Sequence, residues 1–159
     1  MQNLKDIPCL ILGIGNILWA DEGFGVRVVE AFNDKYAFTD PNNVIADGGT
    51  LGMYLYDRIC RAEKLLIFDC CDFKGKPGEL RVLRNDDVKL WTATKISPHQ
   101  TGMNDLLVAA AVRGAIPNDI AVVGFQPVLL DDYGGSLSAE AKGKVDDCLL
   151  YTSDAADEE

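Results

Sequence analysis

The chain has 159 residues, 48% of them hydrophobic, and its 15 basic against 25 acidic side chains give a formal charge of −10. That is enough chain for one well-buried domain and too little for two ordinary ones. An acidic balance with no basic cluster argues against nucleic acid and anionic membrane surfaces as partners. No apolar run approaches the roughly 18 residues of a membrane helix, and Lys5 and Asp6 before a short apolar run do not read as a secretory signal, so no membrane insertion and a cytoplasmic location are expected. Five cysteines with no C-x-x-C pair argue against a disulfide framework and a structural zinc site. The one histidine, His99, excludes any mechanism that needs two imidazoles.

Taken in order, strand and helix signals alternate. Cys9 to Gly13 reads as a buried strand, broken by Gly13-Ile14-Gly15-Asn16, and Gly25, Val29, Phe32 and Tyr36 recur at helical spacing. A strand entering a helix through a glycine turn suggests phosphate binding, but the dinucleotide fingerprint wants a third glycine where Leu18 stands. Asp21 and Glu22 would also repel a pyrophosphate at the helix N-terminus, so the loop suits a cation instead. A second strand, Val44 to Ala46, ends at Asp47-Gly48-Gly49-Thr50, and Leu51, Leu55, Ile59 and Ala62 mark a helical stripe. The most apolar strand, Leu65 to Phe68, runs into Asp69-Cys70-Cys71-Asp72.

After the turn-forming Lys74-Gly75-Lys76-Pro77-Gly78, Glu79 to Arg84 alternates imperfectly, as an antiparallel edge strand does. Asn85 to Thr94 reads as irregular or briefly helical, and Ser97-Pro98 as an N-cap and first helical residue, placing His99 in the first turn of a helix whose apolar face is Met103, Leu106, Leu107 and Ala110. Ile120 to Phe125 is the last strand, ending at Gln126-Pro127. Ser138, after a glycine-containing loop, caps a final helix with Ala141, Val145, Cys148 and Leu149 inward. The fold class expected is α/β: a three-layer αβα sandwich around a mostly parallel, twisted sheet of about five strands with one antiparallel edge strand. Residues 1–150 form that domain. The acidic tail 151–159 is expected to be non-native or disordered, because CLLYTSDAADEE reads like translated sequencing-adaptor read-through; without Asp154, Asp157, Glu158 and Glu159 the charge falls from −10 to −6.

Ligands of open α/β sheets bind beyond the carboxyl ends of the strands. The polar residues sit there: Asn16, Asp21 and Glu22 after strand one, Asp47 after strand two, Asp69 and Asp72 after strand three, Gln126 after strand five, with His99 at the same rim. Two or three carboxylates and one imidazole make an N/O set for nickel, zinc or another divalent metal. Each member also has a structural explanation. Asp21 and Glu22 can stabilise a helix end, Asp47-Gly48-Gly49-Thr50 can be a turn with an N-cap, Asp72 can be a loop residue, and a lone histidine can be a partly buried core residue. Asp69 is harder to set aside, since a carboxylate ending an apolar strand is costly unless paired or metal-bound. Cys70 and Cys71, adjacent on a strand, point to opposite faces and make a poor joint site. No G-x-S-x-G elbow exists, and no serine or cysteine stands at an interpretable spacing from His99.

GIGNILWADEGFGVRVVE, DGGT, LLIFDCCDFKG, KISPHQ and VVGFQP, in this order, resemble the nickel-iron hydrogenase maturation endopeptidases, from about Pro8 to Asp147. LWADEGFGVRVVE and QPVLLDDYGGSLS look most like the subgroup serving uptake hydrogenases of the hydrogenase-1 type. The resemblance implies removal of a C-terminal peptide from the [NiFe] hydrogenase large-subunit precursor, the partner, once nickel is in place. It implies Glu22, Asp69 and His99 as metal-binding and catalytic residues, and Asp47, Gly48 and Gly49 in substrate recognition. Nickel is then supplied by the precursor, and whether the isolated chain holds a metal does not follow from the sequence. Cys70 and Cys71 depart from the family pattern, which has small or apolar residues there. Two other readings stay open at this point: a metal-dependent hydrolase of small amides, and a non-catalytic ligand-binding module. No oligomeric state follows from the sequence.

Overall fold

The computed structural model describes residues 5–15, 17–48, 52–88, 98–130 and 132–157, with the side chains of residues 52, 53, 98–102, 104 and 152–157 outside the description. In chain order the elements are β1 (Ile7–Gly13), a 3-10 turn (Ala20–Gly23), α1 (Phe24–Lys35), β2 (Val44–Asp47), α2 (Gly52–Arg61), β3 (Ala62–Cys70), β4 (Leu80–Arg84), α3 (Pro98–Val112), β5 (Asp119–Phe125) and α4 (Ala139–Asp157). The five strands form one sheet in the order β2-β1-β3-β5-β4, parallel except for the antiparallel edge strand β4.

The two faces of the sheet follow from the alternation of side chains along each strand. Leu10, Leu12, Leu65, Ile67 and Val122 pack with Leu55 and Ile59 of α2 and Met103, Leu107 and Ala110 of α3. Cys9, Ile11, Leu66, Phe68 and Val123 pack with Phe24, Val28 and Phe32 of α1 and Ala141, Cys148 and Leu149 of α4. The result is the expected three-layer sandwich. Its central strands are apolar on both faces because both are covered, and each fully buried leucine or isoleucine there contributes about 1.5–3 kcal/mol.

Some boundaries differ from those read in the sequence. β3 starts at Ala62, directly after α2, because Ala62 pairs with Ile7 of β1 and so belongs to the sheet rather than to the helical stripe. The short helical piece expected after β4 is a 3-10 turn at 85–88, while Leu51, residues 89–97 and the Ser97 cap lie outside the described residues. At α4 the Ser138 hydroxyl accepts the Ala141 amide at 3.2 Å, the N-cap expected there. The helix then continues past 150 to Asp157, so the tail is helical up to that residue rather than irregular. Among the described residues no helix is long and apolar enough to cross a membrane.

Three glycines bring the start of α1 onto the sheet. A Cβ on Gly25 would overlap the Phe68 carbonyl oxygen and stand 2.5 Å from that of Ile14, and one on Gly13 would overlap the carbonyl of Gly25. Gly15, at φ +138°, turns the chain where a Cβ would strike the Glu22 carbonyl. Gly25→Ala should therefore lose about 2–3 kcal/mol or more in urea denaturation, since backbone and not a pliable side chain must move. Gly143→Ala, in α4 with nothing within 4 Å of its Cβ, should gain roughly 0.5–1 kcal/mol in the same measurement.

Candidate functional site

From β1 the chain passes to β2 on one side and later returns to β3 on the other, so strand order reverses between β1 and β3. Beyond their carboxyl ends lies the crevice where such sheets bind ligands. The glycine contacts place the residues around it. The Ile14 amide donates to the Phe68 carbonyl at 2.9 Å, holding the two strand ends together, and Gly25 rests on the same carbonyl. Glu22, three residues before Gly25, and Asp69, the residue after Phe68, therefore lie at the same end of the sheet.

Asp69 is almost fully buried, at 1% exposure, on the last turn of an apolar strand. By strand alternation it faces the α2 and α3 layer, in phase with Leu65, Ile67 and Cys71. Its Oδ1 accepts the Cys70 amide at 2.8 Å and its Oδ2 the Cys71 thiol at 3.7 Å. Cys70 lies in the opposite core cluster, so the two thiols do separate to the two faces. Burial, and after it the negative charge of Asp69, Asp21, Glu22 and Asp72, pushes the Cys70 thiol far up, which keeps it protonated and unfit as a nucleophile. Glu22 itself is half-buried on the 3-10 turn, open to an incoming group.

Asp21 departs from the helix-end role expected of it. It is fully buried, and its carboxylate accepts four hydrogen bonds: from the Val128 and Leu129 amides at 2.9 Å each, from the Ser138 amide at 2.8 Å and from the Ser138 hydroxyl at 2.9 Å. Its own amide donates to the Leu129 carbonyl at 2.9 Å. Four donors compensate the burial of a charge that the helix dipole alone would not. Asp21 so fastens the turn carrying Glu22 to the 128–138 loop, and it holds Ala20 just before it at a left-handed φ of 44°.

Asp47 ends β2 opposite Gly13, half-buried, and the Gly48 amide donates to the Gly13 carbonyl at 2.8 Å. A Cβ on Gly48 would stand 3.4 Å from the Met103 methyl, so β2's end meets the first turns of α3. His99 is in the first turn of α3, four positions before Met103; its side chain is not among those described, and Gly49 and Asn16 lie outside the described residues. Asp72 and Gln126 are structural. Asp72 Oδ1 accepts the Lys74 amide and the Gln126 side-chain amide, which hold its carboxyl below its ordinary range, while Gln126 Oε1 accepts the Phe73 and Gly75 amides.

Among the described residues no three His, Cys, Asp or Glu side chains form a ready metal cluster. A cavity of about 120 Å3 exists at the opposite end of the sheet, lined by Cys9, Lys64, Arg84, Asp119 and Tyr151, remote from these carboxylates.

Comparison with known proteins bears on this geometry. A family model described as hydrogenase maturation protease matches residues 26–152. The hydrogenase expression/formation protein HupM of Azotobacter chroococcum mcd 1 is 47% identical over 141 residues, covering 88% of this chain and 67% of that one. The hydrogenase 2 maturation protease of Escherichia coli K12 is 39% identical, covering 79% and 77% of the two chains. The structure of the hydrogenase maturating endopeptidase HybD from E. coli superposes with a TM-score of 0.84 at 35% identity, over 93% of this chain and 91% of the other.

Asp21→Asn keeps the shape but turns an amide NH2 toward donors. The variant should lose about 2–4 kcal/mol in urea denaturation, and an unchanged midpoint would contradict the role given to Asp21.

Proposed function

Since this chain belongs to the hydrogenase maturation protease family and is an endopeptidase of that kind, we propose that it removes the C-terminal peptide of a [NiFe] hydrogenase large-subunit precursor and uses the nickel in that precursor as its recognition element. The observation carrying this reading is Asp69: a carboxylate buried to 1% exposure at the β1/β3 switch point, with Glu22 on the 3-10 turn that follows β1. His99, in the first turn of α3 on the layer that Asp69 faces, completes the set.

Glu22, Asp69 and His99 supply an incomplete shell. An incomplete shell serves discrimination, because a protein that captured free nickel tightly could not tell a loaded precursor from an empty one. The nickel belongs to the substrate; once engaged, it can polarise the scissile carbonyl as a Lewis acid while water adds across the amide bond. Asp47, Gly48 and Gly49, at the end of the neighbouring strand, take part in recognising the precursor. The reaction is assigned to the cytoplasm, where five buried cysteines outside any disulfide persist as thiols. The readings as a small-amide hydrolase or a non-catalytic module are not favoured, since the relatives are hydrogenase maturation proteases by name.

Glu22→Gln and His99→Ala should each cut the rate of precursor cleavage on the order of 10²-fold or more with the melting temperature little changed. Mass spectrometry of the processed precursor measures this, and wild-type rates in well-folded variants would overturn the assignment.

A further inference from the structure

Six large apolar side chains stand exposed on two loops beside Glu22: Ile17 (40%), Leu18 (47%) and Trp19 (38%) on one, Val128 (41%), Leu129 (39%) and Tyr133 (66%) on the other. Large apolar side chains clustered at the surface of a soluble protein mark a candidate interaction site.

The patch is rigid. Trp19 and Tyr133 form an antiparallel bridge and their rings meet edge-on with centroids 4.9 Å apart. The Gly134 amide donates to the Leu18 carbonyl at 2.6 Å, and the Asp21 carboxylate takes the Val128 and Leu129 amides from beneath. These backbone groups are satisfied inside the protein, so the two loops are held together while the apolar side chains above them stand exposed. The surface is also continuous with the site, since Trp19 precedes Glu22 by three residues on the same turn.

We propose that Ile17, Leu18, Trp19, Val128, Leu129 and Tyr133 form the docking face for an apolar surface of the hydrogenase large-subunit precursor, seated so that its nickel reaches Glu22. The proposal rests on the reading of this chain as a precursor endopeptidase. A partner whose metal is to meet a half-buried carboxylate at the base of this patch must lie over the patch itself. Two pinned loops fix where that partner rests, and the carboxylates then test what it carries.

The test compares wild type with a double variant, Leu18→Ser with Tyr133→Ser, and with Val112→Ser, which is 85% exposed at the far end of α3 and serves as control. Affinity for the nickel-loaded precursor is measured by isothermal titration, KM and kcat by mass spectrometry of the product, and oligomeric state by sedimentation. Expected are a Kd and a KM raised about tenfold or more in the double variant, kcat at saturation within about twofold of wild type, and no change in the control. A wild-type Kd in the double variant would overturn the proposal. So would an equal loss in the control, or a wild-type dimer broken by the substitutions while precursor affinity stays intact. If the double variant loses its native melting transition, Leu18→Ser and Val128→Ser taken singly are judged by the same affinities. A precursor that binds wild type and remains uncut would defeat the endopeptidase reading, and the loss or retention of Kd in the variants would still decide the docking face.

Discussion

At Gly13, Gly15 and Gly25 the backbone leaves no space for a side chain, and the site depends on that. The contact of Gly25 with the Phe68 carbonyl draws the first turn of α1 onto the ends of β1 and β3, while Gly15 folds the intervening loop back against Glu22. With a Cβ at any of the three, the turn bearing Glu22 would be pushed away from Asp69. A glycine turn after a first strand ordinarily suggests a cradle for phosphate. Here the same residue type serves close packing of backbone on backbone, and two carboxylates stand where a phosphate would have to sit.

The two adjacent acids of that turn divide the work. Asp21 is buried and spends its lone pairs on the 128–138 loop and the cap of α4; Glu22 is half-buried and open to the crevice. One anchors, and the other is the residue that we propose meets the ligand. A single carboxylate therefore links the β1 turn, the loop bearing Val128 and Tyr133, and the start of α4. Sites that must hold a reacting group in place rely on supporting contacts of this kind.

Much of this was legible in the sequence. Apolar runs bounded by glycine or acid gave β1, β3 and β5, the alternation of Leu80, Val82 and Arg84 gave the antiparallel edge, and Ser138 gave the cap of α4, because each signal is local and periodic. Asp69 was legible for the same reason, as a charge ending an apolar strand. Asp21 was not. Its partners lie more than a hundred positions away, and no spacing within the chain announces that the Val128, Leu129 and Ser138 amides converge on it. Ala62 was misread because a short helix running straight into a strand leaves no turn residue to mark the boundary. The exposed run Ile17-Leu18-Trp19 was not read from the sequence, because its contact with Tyr133 joins it to a loop more than a hundred positions away.

The central claim is that Glu22, Asp69 and His99 form a reader for nickel held by another protein, on a scaffold whose glycines and Asp21 fix the reader's geometry. The most direct measurement is mass spectrometry of one large-subunit precursor, prepared with and without nickel and incubated with the wild-type chain. The account predicts loss of the C-terminal peptide from the nickel-loaded form alone. Cleavage of both forms at the same rate would contradict it.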